Sequence, residues 1–464
     1  MKKSFKHILL ASVSGLCISA NAQEMAGFRA DNYNGVNGAF FNPANLAGGP
    51  YKVDVNIFGG NFYGGNKNKS FTGLFSDLNS DTGSLNNIVG PGTSNSILLN
   101  VALHLPSVSY SINEKATVAF LARTRVLFDI RDFDGDLINS ITNQASTSNG
   151  YPFTINNNTN MRINANVFSE FGLSGSYVVY NEGNHFIKAG GTLKYLAGVS
   201  NVYFQMNKLN TTIDADGSGT NAYATNSSGS IALGAGGADF DNNVSFGFNA
   251  SGFGADVGAV YEYRPDDLQD ETIPYFFKAN VAILDIGGIK YNSLPQYTAG
   301  YDINILAGQK FYLDAFNGAS ITETKAVFDK NPQYFTRTAG LNSGSYRVAL
   351  PRTLQIGGDV RAMDKFYVAA NLQLAMVNNE TKPYNPNSLT SIMLTPRFES
   401  RMFSAYLPFS YNNLTKMNLG IGLRAGPFYA GSSGILSGIF GKAKQLDMYL
   451  GFRVGFRYKK EESE

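Results

Sequence analysis

Few side chains in this sequence could do covalent chemistry. Three histidines are present. His104 and His185 lie beyond the first 22 residues, and Ser107 follows His104 closely. A serine nucleophile needs a histidine base and a third group to orient that histidine. No spacing rule links Ser107 to His104, so a hydrogen-bonded histidine is the better reading and no enzyme is expected. Cys17 is the one cysteine, and two histidines without cysteine give zinc little to bind. Asp214-Ala215-Asp216-Gly217-Ser218-Gly219 begins like a calcium loop, but its twelfth position is Thr225 instead of a bidentate glutamate. Asp132-Phe133-Asp134-Gly135-Asp136 has Leu137 where the sixth position needs glycine. Both are expected as solvated loops, with no metal and no cofactor.

The charges that remain sit within alternating segments. In Val118 to Ile130, Val118, Phe120, Ala122, Val126, Phe128 and Ile130 oppose Arg123, Arg125 and Asp129. Val257, Ala259, Tyr261 and Tyr263 oppose Asp256, Glu262 and Arg264; Met417, Leu419, Ile421 and Leu423 oppose Arg424; Met448, Leu450, Phe452, Val454 and Phe456 oppose Arg453 and Arg457. Phe366, Val368, Ala370, Leu372 and Leu374 form another such face. Period two is the signature of a strand. A soluble sandwich also alternates, but these segments run to about 12–20 residues against the usual 5–6. Their polar faces carry charge in mid-strand, which suits a barrel lumen backed by lipid. Arg123, Arg125, Asp129, Lys194, Asp256, Glu262, Arg361, Arg424 and Arg453 are therefore expected to face the lumen. Their mixed signs predict pairing within a narrow, filled interior.

Composition agrees. The 464 residues hold 50 Gly, 34 Phe, 26 Tyr, no Trp and 16% charged residues, where soluble domains carry about 25%. No apolar run reaches the length of a membrane-spanning helix. The fold class expected is all-β: a transmembrane outer-membrane barrel of about 14 antiparallel strands, within about 12–16. Tyr301–Leu306 and Lys310–Ala315 are expected to supply two of them. Short turns are expected at Asn113–Lys115, Asn181–Asn184, Ala362–Lys365 and Asn412–Thr415, on the periplasmic side. Long outer loops are expected near 64–96, 132–160, 206–243, 292–351 and 379–390.

Residues 1–22 have the form of a cleaved export signal: Lys2, Lys3 and Lys6, an apolar stretch from Ile8 to Ile18, then Ala20-Asn21-Ala22. Their loss turns 37 basic and 35 acidic side chains into a net charge of −1, which gives no reason to expect nucleic acid. The expected division is a signal at 1–22, a hatch segment at 23–50, a barrel at 51–458 and a periplasmic tail at 459–464. Gly27 to Pro50 does not alternate, and Asn, Gly and Pro break it repeatedly. Phe28, Val36, Phe40, Phe41 and Leu46 argue that it is buried and not a free lead.

Asn42-Pro43-Ala44, followed by Leu46-Ala47, resembles the hatch signature of FadL-type long-chain fatty-acid transporters and their PorV-type relatives. Further stretches resemble an uncharacterised Bacteroidota family of outer-membrane proteins: 30–47, 252–267, 283–292, 350–361 and 422–434. The resemblance implies a single barrel with an N-terminal hatch shaped by Asn42, Pro43 and Ala44. Asn45 departs from the transporters, which usually have Gly there. Two functions stay open, with an outer-membrane lipid-modifying enzyme a distant third. One is passage or binding of a hydrophobic or amphipathic small molecule. The other is a non-transporting barrel that binds envelope or secreted proteins through the loops at 132–160 and 206–243. Outer-membrane lipid is a partner in either case.

Overall fold

The computed structural model describes residues 24–70, 94–135, 150–217, 221–238, 247–268, 272–316, 321–338, 344–377, 382–441 and 443–458. The expected signal at 1–22 and tail at 459–464 lie outside them. So do 136–149 of the loop expected at 132–160 and most of the stretch expected at 64–96.

Fourteen wall strands, each antiparallel to the next, form a closed cylinder. They are β1 (Tyr51–Asn66), β2 (Asn95–His104, then Ser107–Ser111), β3 (Ala116–Phe133), β4 (Phe153–Asn156, then Asn160–Glu182) and β5 (His185–Ala215). Next come β6 (Ala222–Gly237, then Ala250–Tyr263), β7 (Phe277–Asn292, Ala299–Ile305, Phe311–Tyr312) and β8 (Phe335–Arg337, Ser345–Ala349, Thr353–Met363). The rest are β9 (Phe366–Ala375), β10 (Ser391–Glu399), β11 (Phe403–Tyr406, Phe409–Asn412), β12 (Lys416–Leu419, Ile421–Ala425), β13 (Phe428–Ser432) and β14 (Gln445–Arg457). Closure is made where β1 pairs with β2 through Gly59 and His104, and with β14 through Gly59 and Gly451. A closed sheet leaves no edge unpaired, the condition for strands to cross lipid.

Alternation decides what each face meets. Val118, Phe120, Val257, Phe366, Val368, Leu423, Met448, Leu450 and Phe456 are exposed on the outer face. Arg123, Arg125, Asp129, Asp256, Glu262, Arg424 and Arg453 are buried on the inner one. Leu193 and Phe253, 74% and 73% exposed, show how bare the outer belt is. Such a surface is stable only against acyl chains. Tyrosine serves at the rim in place of Trp: Tyr110 and Tyr458 project outward near the short turns, with the Lys52 ammonium 4.8 Å and 5.6 Å from their ring centres.

One end of the cylinder carries tight turns at Ser111–Ala116, Glu182–His185, Met363–Phe366, Glu399–Phe403 and Ala425–Phe428. At the first, the Asn113 side chain accepts bonds from the Lys115 and Ala116 amides, an Asx turn. Three expectations are corrected at the opposite, loop-rich end. The Asn412–Thr415 turn belongs there, because Asn412 pairs with Ser391 at the far end of β10. The 206–243 stretch is mostly strand: β5 runs on to Ala215 and β6 returns from Ala222. Its Asn, Ser and Thr residues read as loop because this hairpin stands beyond the apolar belt. Tyr301–Leu306 and Lys310–Ala315 are not separate spans. They prolong β7, pairing with β6. A helix, α1 (Ile321–Lys330), packs Phe328 on Tyr301 and Phe335, with ring centres 4.9 and 4.7 Å apart.

Placing a guanidinium on the lipid face should cost about 2–4 kcal/mol, so Leu193→Arg is expected to lower folding stability in vesicles by that order. Leu306→Arg, beyond the belt, should change it by less than about 0.5 kcal/mol. Urea-dependent folding into vesicles measures both.

Candidate functional site: the occupied lumen

The N-terminal segment runs inside the cylinder as three short 3-10 turns, Phe28–Ala30, Gly35–Phe40 and Pro43–Leu46. The last shows what the Asn-Pro-Ala sequence does. Asn42 is extended, and its Oδ1 accepts from the Ala44 amide at 2.9 Å, capping the turn that Pro43 opens. Its Nδ2 donates to the Ala259 and Val281 carbonyls of β6 and β7, both at 3.2 Å. Asn45 donates from its side chain to the Gly38 carbonyl at 3.1 Å, tying two turns together. The wall has been cut to fit. A Cβ on Gly190 of β5 would lie 2.6 Å from the Ala44 nitrogen, and one on Gly258 of β6 would meet the Asn42 amide. Ser176 of β4 donates to the Ala44 carbonyl and accepts from the Ala47 amide.

Apolar side chains give the segment its seat. Met25, Phe28 and Phe41 pack with Tyr406, Tyr429 and Tyr449 of the wall, and the Phe28 ring stacks on Tyr429 at 4.1 Å. Val36, Ala39, Phe40 and Leu46 pack on Ala119 and Leu121. Burying one such side chain stabilises by about 1.5–3 kcal/mol.

Charge fixes the orientation. Asp31 meets Arg424 of β12 at 2.8 Å and accepts from the Tyr406 hydroxyl. Burial pushes its carboxyl up in pKa. The Arg424 charge and the bonds from Tyr406, Arg424 and the Tyr33 amide outweigh that and hold it below the usual range. Arg453 of β14 binds Asp54 of β1 and the Tyr33 carbonyl, while Asp54 accepts from the Val36 amide at 2.8 Å. Asn32 donates to Glu399 and accepts from Lys278, both at 2.7 Å. Glu24 reaches His104 at 2.7 Å and Arg123 at 3.1 Å. Burial raises the Glu24 pKa, but Arg123, His104 and Arg125 bring it down to about 2.

Above the segment lies a charge cluster. Asp285 of β7 is its hub, 2.7 Å from both Arg125 and Lys194, and its amide donates to Asp256 at 2.7 Å. Lys194 also meets Asp256 at 2.8 Å, and Glu170 of β4 takes Arg125 at 2.9 Å and Arg123 at 3.2 Å. Elsewhere Glu262 pairs with Lys188 and Arg264, and Asp359 with Arg397, which also holds Glu399. Asp129 pairs with Arg131 at 2.8 Å. The expected lumen charges are therefore dispersed over several pairings. Arg123, Arg125, Lys194 and Asp256 meet in one cluster, Arg424 and Arg453 hold the N-terminal segment, and Arg361 differs. Buried itself, its guanidinium bonds Asp364, a residue exposed in the short turn after β8, and the Ile273 carbonyl.

Sequence reasoning missed Glu170, Asp285, Arg397 and Glu399. Glu170 and Arg397 lie on alternating strands and were open to the same period-two reading. Asp285 was not. It has a positive φ of 59° in a bulge between Ile283 and Ile286, with Gly287 at 125°, and the bulge redirects its side chain inward. His104 and Ser107 do not form a catalytic pair. The Ser107 hydroxyl donates to the Leu105 carbonyl and accepts from the Ala122 amide, each at 3.0 Å. In the calcium-like loop, of which 218–220 lie outside the described residues, Asp214 accepts from the Tyr223 hydroxyl and Asp216 meets Lys310, each at 3.0 Å.

A cavity of about 250 Å³ opens where β8 is interrupted at Leu350–Arg352, opposite the β7 bulge. Gly287, Ala349, Leu350 and Val377 line it together with the charged or polar Asp285, Arg352, Lys382 and Asn385.

Removing one partner of a buried pair costs about 3–5 kcal/mol, so Arg424→Gln should destabilise by that order, while Lys365→Gln, one half of an exposed pair with Asp364, should cost less than about 1 kcal/mol. Urea unfolding in detergent micelles compares them. Because the Glu24 pKa is depressed, its stabilisation is complete above its ordinary value near 4.5 and is lost as pH falls toward 2. The melting-temperature gap between the native chain and Glu24→Gln is expected to be constant from pH 7 to 5 and to close below about 4.5.

Against known proteins the following was found. No curated protein matches the chain. Among solved structures, the toluene transporter TbuX of Ralstonia pickettii aligns at 10% identity and TM-score 0.41, covering 90% of this chain and 92% of that one. The TodX monoaromatic hydrocarbon channel, as its deltaS2S3 mutant, aligns at 10% identity and TM-score 0.44 over 89% and 93%. The CymD monoaromatic hydrocarbon channel aligns at 11% identity and TM-score 0.42 over 95% and 100%. One family model matches residues 43–433, most of the chain. The chain belongs to that family, described as a family of unknown function (DUF5723).

Proposed function

We propose that this chain is an outer-membrane barrel through which a small hydrophobic or amphipathic molecule is bound or passed, with residues 24–50 as a movable hatch. The observation that carries the reading is how the interior is filled. Side chains alone can fill a barrel of about 8 strands; fourteen leave a wider bore, and here a tethered, non-strand segment occupies it. Its contacts are side-chain hydrogen bonds, ion pairs and modest apolar patches, with no strand pairing to the wall. Such contacts can be exchanged for water or ligand without unfolding the cylinder. Export and a periplasmic position for the short-turn end belong to the same proposal.

A disulfide should arrest the hatch. Cys17 is the one native cysteine, and the Ala47 amide bonds the Ser176 hydroxyl at 3.3 Å. In proteoliposomes, the Ala47→Cys/Ser176→Cys chain is expected to take up a small hydrophobic dye as the native chain does when reduced, and at least ten-fold more slowly when oxidised. Equal rates in both redox states would reject the hatch.

A further inference from the structure

We propose that Lys382–Thr390 is a second closure, a strap across the loop-rich end of the lumen. This stretch joins β9 to β10, and its composition suggested an outer loop; instead it turns into the cylinder. The Asn164 side chain of β4 donates to the Pro383 carbonyl at 3.0 Å, and Asn201 of β5 donates to the Tyr384 carbonyl at 3.4 Å. Arg131 of β3 donates to the Asn385 carbonyl at 3.2 Å, and the Asn387 amide donates to Asp129 of β3 at 2.9 Å. The Asn385 side chain accepts from the Ala349 amide of β8 at 2.9 Å. The Tyr384 ring lies 5.6 Å from Tyr203 and 5.1 Å from Tyr346. Leu389 ends the crossing in a buried cluster with Tyr63 of β1, Leu98 of β2 and Leu414.

The positions in the ring show what this achieves. In a cylinder of fourteen strands, the strand opposite β10 is β3 and the strand opposite β9 is β2. The strap leaves from β9, bonds β3, packs on β2 and returns to β10, so it spans the full diameter. Pro383 and Pro386 stiffen it. Asp129, one of the charges expected in the lumen, holds the strap and not the hatch. The cluster around Asp285 lies between the two, and the cavity at the β8 interruption, lined by Lys382 and Asn385, adjoins the strap. Rearrangement of residues 24–50 alone therefore leaves the lumen shut. Passage, on the function proposed above, requires the strap to move as well, and the two closures together keep ions from leaking while one is displaced.

The test reads closure separately from transport. Asn166 of β4 is buried on the inner face between Asn164, which bonds the strap, and Glu170 of the charge cluster. In lipid nanodiscs, an Asn166→Cys chain is expected to react with a charged maleimide at least ten-fold faster once residues 382–390 are replaced by Gly and Ser. Equal rates would overturn the strap while leaving the transport reading intact. A tether covers the event that the replaced chain fails to fold. Ala349→Cys/Asn385→Cys should form a disulfide on oxidation and slow dye uptake at least ten-fold, reversed by reductant. No disulfide, or uptake independent of it, would also overturn the strap. No uptake even by the native chain would instead sink the transport reading, with the maleimide rates still deciding the strap.

Discussion

A charge taken out of water must find an opposite charge close by, and this lumen is organised around that demand. Lipid outside forces polar side chains inward, and a segment filling the bore removes the water that would solvate them. Burial of a single unpaired ion costs several kcal/mol. The interior therefore becomes a set of matched pairs: Asp31 with Arg424, Asp54 with Arg453, Glu24 with Arg123, and the Asp285 hub with Arg125 and Lys194. The first and third of these cross from the N-terminal segment to the wall. Docking the segment and neutralising the wall are one event.

The stretches that carry the family resemblance meet in space for this reason. Residues 30–47 supply Asp31 and the Asn42 turn. The segment 252–267 supplies Asp256 and Glu262, and 283–292 supplies the Asp285 bulge. Asp359 comes from 350–361, and Arg424 and the Tyr429 ring come from 422–434. Distant in sequence, they converge on the lumen contacts of the N-terminal segment and on the charge cluster above it.

How much was legible follows from the physics of each element. Period two is local, so the barrel and the inward arginines on β3, β12 and β14 could be read from neighbouring residues, whereas the count of fourteen was reached with two stretches that only prolong β7. The Asn-Pro-Ala turn is also local chemistry, a cap followed by a proline. Its seat is not, because Gly190 and Gly258 matter only through contacts formed after folding. Asp285 escaped because a bulge with positive φ breaks the period that found the others. Arg361 obeyed the period and is buried on the inner face, but it stands two residues from the end of its strand, so its partners are Asp364 of the turn and the Ile273 carbonyl and not the N-terminal segment. The strap escaped for a compositional reason: Asn, Pro and Ser serve equally in a loop facing water and in a loop crossing a polar interior.

The central claim is that residues 25–50 are packed structure within the cylinder, held by buried ion pairs. Amide hydrogen exchange of the native chain in nanodiscs, followed peptide by peptide, tests it most directly. Protection across Met25–Leu46 comparable to the wall strands, and lost selectively in Asp31→Asn, is the expected result. Exchange within seconds along this stretch, as in a free tail, would contradict the account.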